Sequence, residues 1–383
     1  MYVSPWPGLT LRDFMPARGE RAGARAVPYP FSEPRRRSFV VARSGIYQLF
    51  RALRFQPGET VLVPDYYSGN EVAAIRAAGA SIVFYPIRRN LEPDLEALTR
   101  LAECRPRVIY AIHYLGWPQP MREFQAVCAR HGSLLVEDCA LALFSETEGK
   151  PLGAFGDYSV FCLYKTLALP NGGVLVQNRG ALPQLEGLEL EECPRISAAG
   201  RTAELALETL RSRCEWAGRM LFTLKQGVGR KLRAASVRQV PVGDIGWDIG
   251  SVNFAMSKIS NSLLRGIDHV RIRRIRRENF FRLQSKLAGH VKMLREDLGP
   301  GVCPLFFPIL VARKREVAEA LRSRGIEAVE FWNDVQDNPH VGADARYLRA
   351  HVLELPIHQG VTPTQVDYIA EQIRLLNPEP APC

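Results

Sequence analysis

Lysine is scarce in this chain: only eight of its 50 basic residues are lysine, and the rest are arginine. Arginine supplies permanent charge and a fork for carboxylates and phosphates, so a lysine in a special setting is easy to notice. No apolar run approaches the roughly 18 residues that a membrane-spanning helix needs. Prolines and charges occupy the first twenty residues, where a secretory leader has an apolar core, and the expectation is a cytoplasmic protein. The eight cysteines are scattered without a C-x-x-C pair, which favours buried thiols over disulfides or a metal site. No internal repeat or low-complexity run is visible. What is present is ordinary: 383 residues, 46% hydrophobic and 23% charged, which excludes a disordered chain. At about 150 residues per domain, that length predicts two or three domains, or a large one with a satellite. The net charge of +10 favours anionic partners without choosing among phosphates, nucleotides, nucleic acid and membrane surface.

Residues 1–40 read as an irregular arm with an arginine cluster, Arg35 to Arg37, that packs on another part of the molecule. Beyond it the pattern becomes regular. Ile46, Leu49, Phe50 and Leu53 have helical spacing within 44–55. Strands are predicted at 60–64, 81–87, 107–113 and 133–138, with helices at 70–79, near 93–103 and near 120–131 between them. This alternation predicts a parallel α/β sheet covered on both faces. Strands at 158–164 and 172–178 are only seven residues apart, too close for a crossover helix, so they form a hairpin-like return. Residues 202–224 read as a helix with a basic tail to 233, and 253–286 as one long helix. The remainder predicts strands at 304–311, 326–331 and 352–358, with helices near 314–324 and 363–376. The expected division is an arm at 1–40, a large domain at 41–245 and a small C-terminal domain at 246–383.

Three features carry chemistry. Asp138 closes the apolar strand SLLVED, at the edge where open α/β sheets bind ligands. An acid there pairs with a protonated ring nitrogen or a ribose hydroxyl, or else caps the next helix. Lys165 directly follows VFCLY, and desolvation there favours the neutral amine that Schiff-base chemistry needs. The plain alternative is a surface lysine on a loop. Ser44 and Gly45 open a helix whose free backbone N–H groups suit a phosphate, the alternative being simple capping by Ser44. Acid, lysine and anion-binding turn together are what pyridoxal phosphate requires.

The sequence resembles the DegT-type sugar aminotransferases, pyridoxal-phosphate enzymes of the aspartate-aminotransferase fold (fold type I), over most of 42–376. PGETVLVPDYYSGNEVAAIRAAGASIVFYPI (57–87) is similar to the family's strand–loop–helix–strand, and AIHYLGWPQPM (111–121) to its VHLYGQPADM. LLVEDCALALFSETEGKPLGAFGDYSVFCLYKTLALPNGGVLVQN (134–178) resembles its signature of acid, GSFGD, lysine and Gly-Gly strand. NFAMSKIS (253–260) and VLELPIHQGVT (352–362) resemble NYRMSELQ and VLSLPLHPGLT, and all these matches are collinear.

The resemblance implies a homodimer with a large, mostly parallel domain and a smaller C-terminal α/β domain. It implies Asp138 at the pyridine nitrogen and Lys165 as the aldimine lysine. Ser44 and Gly45 would bind the phosphate, with Cys162 where the family has a phosphate-binding serine. Tyr66 or Tyr67 would stack on the ring, and Asn253 would reach the phosphate of the partner subunit's cofactor. The chain departs from the family at Ile46 and Tyr47, at Leu141 in place of glutamine, and at Ala255 in place of arginine. The implied reaction moves an amino group from an amino acid, glutamate foremost, to a nucleotide-linked keto-sugar, with Lys165 as general base. Such sugars feed polysaccharide or secondary-metabolite pathways. A pyridoxamine-phosphate-dependent sugar dehydratase is a second reading, opposed by Lys165 because those relatives tend to carry histidine there. A non-catalytic, cofactor-poor binding or scaffold protein is a third, motivated by Ile46, Leu141 and Cys162. RIRRIRR (271–277) reads as the solvated face of an amphipathic helix, not a nucleic-acid site. Residues 202–233 read as a helix packed on the body or a partner, in preference to a membrane-surface element. Trp117, Phe331, Trp332 and His340 either line the substrate pocket or pack.

Overall fold

The structure, a computed structural model, describes residues 1–10, 13, 27–214, 247–332 and 340–382. The first strands are β1 (Arg36–Phe39), β2 (Thr60–Pro64), β3 (Ser81–Tyr85), β4 (Val108–Ile112) and β5 (Leu134–Asp138). After the short pair β6 (Glu146–Thr147) and β7 (Lys150–Pro151) come β8 (Tyr158–Cys162) and β9 (Gly173–Gln177). Seven of these make one sheet in the order β1-β9-β8-β5-β4-β2-β3. Strands β3, β2, β4, β5 and β8 pair in parallel, while β9 runs antiparallel to both β8 and β1. Every residue of β4, β8 and β9 is buried, as expected of strands covered on both faces.

Helices α1 (Ala42–Leu53), α2 (Asn70–Ala77), α3 (Leu95–Ala102) and α4 (Met121–His131) connect the strands. Helix α1 buries Ile46, Leu49, Phe50 and Leu53, the apolar set its sequence spacing predicts. It starts two residues before Ser44, with Val41 at the cap position, so Ser44 does not cap it. The return after β8 is hairpin-like as predicted, with one difference. The strand stops at Cys162, and Leu163–Thr166 forms a single helical turn, α5. Gly173 then opens β9 against the backbone of Val41 and Ala42, where a Cβ would not fit.

Farther along lie α6 (Pro183–Glu186), α7 (Arg195–Arg213), α8 (Lys258–Leu264) and α9 (His269–Leu287). The single helix expected at 253–286 is therefore two. Ser257 and Asp268 each accept a backbone N–H with their side chain and start α8 and α9 separately. Helix α7 covers 202–213 of the stretch expected to be helical to 224; residues 215–246, with the rest of that stretch and its basic tail, lie outside the described residues.

A second sheet of β10 (Lys292–Met293), β11 (Phe306–Leu310) and β12 (Val352–Pro356) is antiparallel. It is accompanied by α9, α10 (Lys314–Ser323), α11 (Ala343–His351) and α12 (Pro363–Leu376). Residues 326–331 do not form the predicted strand: Ile326 and Val329 make isolated bridges, to Val3 and to Glu354. The arm packs on the rest of the molecule, and part of it is regular structure. Its β1 belongs to the large sheet, and Val3 and Leu9 bond to Gly325 and Leu205. No helix among the described residues is long and apolar enough to cross a membrane.

Candidate active site

A cavity opens at the carboxyl ends of β2, β4, β5 and β8, where the residues following each strand converge. Strand β5 contributes Asp138 and β8 contributes Cys162; α5 contributes Lys165. The β2–α2 connection adds Ser68, Asn70 and Glu71, and α1 adds Arg43 and Ile46.

Lys165 is 8% exposed, so it is not an ordinary loop lysine. Its Nζ lies 5.2 Å from the centre of the Phe331 ring. Asp138 is buried; the Tyr110 hydroxyl donates to its Oδ2 at 2.6 Å and the Ala140 N–H to its Oδ1 at 2.8 Å. The bond to Ala140 closes a turn, and no helix begins there, so Asp138 is not a helix cap. Burial pushes its carboxyl above the usual carboxylate range, opposed by Tyr110, Ala140 and the charges of Lys165 and His113. A second buried acid, Glu71, accepts from Ser68 N at 2.7 Å and from the Ser68 hydroxyl. Burial, reinforced by Asp138, raises its carboxyl too. The wall thus carries two carboxyls, Arg43 and Lys165 around one cavity.

Cys162 is buried on this wall. Ser44 and Gly45 are not on this wall: the Ser44 hydroxyl donates to the Ser251 carbonyl at 3.5 Å, and Gly45 packs against Phe39 and Leu175 of the sheet. The part of that turn facing the cavity is Val41, Ala42, Arg43 and Ile46. Neither predicted tyrosine faces the cavity. Tyr67 stacks on Phe84, with ring centres 5.1 Å apart, and Tyr66 sits behind Trp332 at 4.5 Å. The aromatic residues on the wall are Tyr164 and Trp332. Asn253 is exposed and accepts from Gln48 Nε2 at 2.6 Å, away from the cavity. Arg43, Ser68, Asn70 and Glu71 were not expected in the site; no motif marks them, and only side-chain direction brings them in. Trp332 was singled out in sequence, without a role. His340 is exposed, and Trp117 is buried with its indole N–H on the Asp297 carbonyl.

The fold is that of the pyridoxal-phosphate-dependent transferases of fold type I. Helicobacter pylori PseC, an aminotransferase involved in the biosynthesis of pseudoaminic acid, superposes with a TM-score of 0.66 at 18% identity, covering 98% of both chains. Spr1654 from Streptococcus pneumoniae, in its pyridoxamine-phosphate form, gives 0.66 at 16% identity, also covering 98% of both. Residues 41–192 match the model of the DegT/DnrJ/EryC1/StrS aminotransferase family. GDP-perosamine synthase of Vibrio cholerae is 30% identical over 155 residues, which is 40% of each chain. A dTDP-4-dehydro-2,3,6-trideoxy-D-glucose 4-aminotransferase of Saccharopolyspora spinosa is 22% identical over 360 residues, 88% of this chain and 83% of that one.

Proposed function

We propose that this protein is a pyridoxal-phosphate-dependent aminotransferase that passes an amino group from an amino acid, glutamate foremost, to a nucleotide-linked keto-sugar. One observation carries the reading: a buried lysine and a buried acid face one cavity at the carboxyl edge of a parallel sheet. Support comes from the matched family and from relatives whose names specify GDP-, dTDP- and UDP-linked sugars. A homodimer belongs to the same proposal.

The donor set fits the cofactor. Asp138 would hold a proton on the ring nitrogen, and the first turn of α1 with Arg43 would face the phosphate. The bound group supplies an electron sink for the carbon that loses its proton. Lys165 Nζ takes that proton from the amino donor and returns it in the second half-reaction. Phe331 and Trp332 cover the amine and keep water from it. Lys165, in place of a histidine, speaks against the dehydratase reading.

The test is an absorbance titration of wild type and Lys165→Ala with pyridoxal phosphate. Wild type should develop a visible band that glutamate bleaches, and the variant should show none. A folded wild type without a band would sink the proposal and leave a binding or scaffold role.

A further inference from the structure

The arginine run of α9 does not form one solvated face. Arg271 and Arg274 are exposed, but Arg276 is 1% exposed. Its guanidinium meets no carboxylate among its hydrogen-bond partners. Nη1 donates to the carbonyls of Leu305 at 2.9 Å and Pro304 at 3.2 Å, and Nε to Gln359 Oε1 at 3.0 Å. Nη2 donates to the Thr166 carbonyl at 3.1 Å, and Gln359 Nε2 donates to the same oxygen at 2.9 Å. Arg276, Gln359 and Thr166 therefore close a triangle of bonds one residue from Lys165.

Burying a guanidinium without an acid is costly, and apolar residues of similar size usually fill such a place at least as well. Burial lowers its pKa to about 10. A structural need explains the arrangement. The turn α5 is four residues long, far too short to hold itself, and the carbonyls of a last turn lack intrahelical partners. The two donors come from elsewhere: Arg276 from α9 and Gln359 from the loop after β12.

We propose that Arg276 and Gln359 are positioning residues that fix the Lys165 turn to the smaller α/β unit and so aim its amine into the cavity. The proposal rests on the reading of Lys165 as the reacting amine. Its test separates two ligands. Pyridoxamine phosphate fills the cavity without needing the lysine, whereas pyridoxal phosphate must be captured covalently by Nζ. Wild type, Arg276→Lys and Gln359→Leu are compared for pyridoxamine phosphate affinity, for the rate of pyridoxal phosphate capture after borohydride fixation on Lys165, and for thermal stability.

Both variants should bind pyridoxamine phosphate as wild type does and capture pyridoxal phosphate roughly tenfold or more slowly, the scale of a small misplacement of a reacting group. Capture at the wild-type rate in both overturns the clamp alone. Parallel loss of both ligands, or unfolding of both variants, makes the triangle merely structural and overturns it too. A wild type that takes neither ligand removes the cofactor reading and this one with it.

Discussion

Trp332 departs most from ordinary backbone behaviour in the site. Its φ is +61°, left-handed for a bulky residue, and its buried indole N–H has no acceptor among the described residues. Arg349 holds the strained backbone: Nη1 donates to the Trp332 carbonyl at 2.9 Å and Nη2 to the Tyr67 carbonyl at 2.9 Å. Trp332→Phe removes an orphaned donor worth about 1–3 kcal/mol while losing some packing. The two effects should nearly cancel, with stability within about 1 kcal/mol of wild type in urea unfolding. A loss above about 3 kcal/mol would show that packing alone decides this position. Asp138 and Lys165 were legible in sequence because Asp138 ends one apolar strand and Lys165 lies in the turn directly after another, and chain direction sends both to one sheet edge. Tyr66 and Tyr67 were not. Two adjacent aromatic residues after a strand leave open which one turns inward, and here neighbouring rings take both.

Strand β5 separates structure from chemistry by alternation. Glu137 and Asp138 are adjacent and point to opposite faces. Glu137 accepts the N–H groups of Gly153 at 2.9 Å, Phe155 at 2.7 Å and Gly156 at 2.5 Å, and lies 3.0 Å from His113 Nε2. Cys139 is close by, and the backbone N–H groups already take three of the roughly four lone-pair sites of Glu137. Glu137→Ala strands several buried donors and should cost about 3 kcal/mol or more in denaturant unfolding. Asp138→Ala should cost far less stability, because burial already disfavours its charge, while weakening pyridoxal phosphate binding. The opposite pattern would mean that the roles of the two acids are reversed. Most elements were readable from apolar period. The exceptions are instructive: 326–331 has strand-like residues but only single bridges to pair with, and 253–286 has one helical period but two separate caps.

At the scale of the molecule, His358 ties the two ends of the chain together. Its Nε2–H donates to the Ser4 carbonyl at 3.0 Å, and its Nδ1 accepts from Gly360 N at 3.1 Å. Burial first, then the nearby Arg276 charge, lowers its pKa from 6.5 to about 3. Between those values the unfolded chain binds the proton and the folded chain does not, so stability is full above 6.5 and falls as pH drops towards 3. The slope from this one group is about 1.4 kcal/mol per pH unit. Stability measured against pH should flatten over this range in His358→Gln, and an unchanged slope would exclude the residue as the source. No sequence pattern announces this contact, since its partners lie at opposite ends of the chain.

The bare backbone of Gly173 touches the first turn of α1 with nothing in between. The one reversed strand of the large sheet thus serves as a spacer, one peptide thick, under the turn that faces the cavity. The first turn of α1 is thus seated on a strand that contributes no residue to the cavity wall.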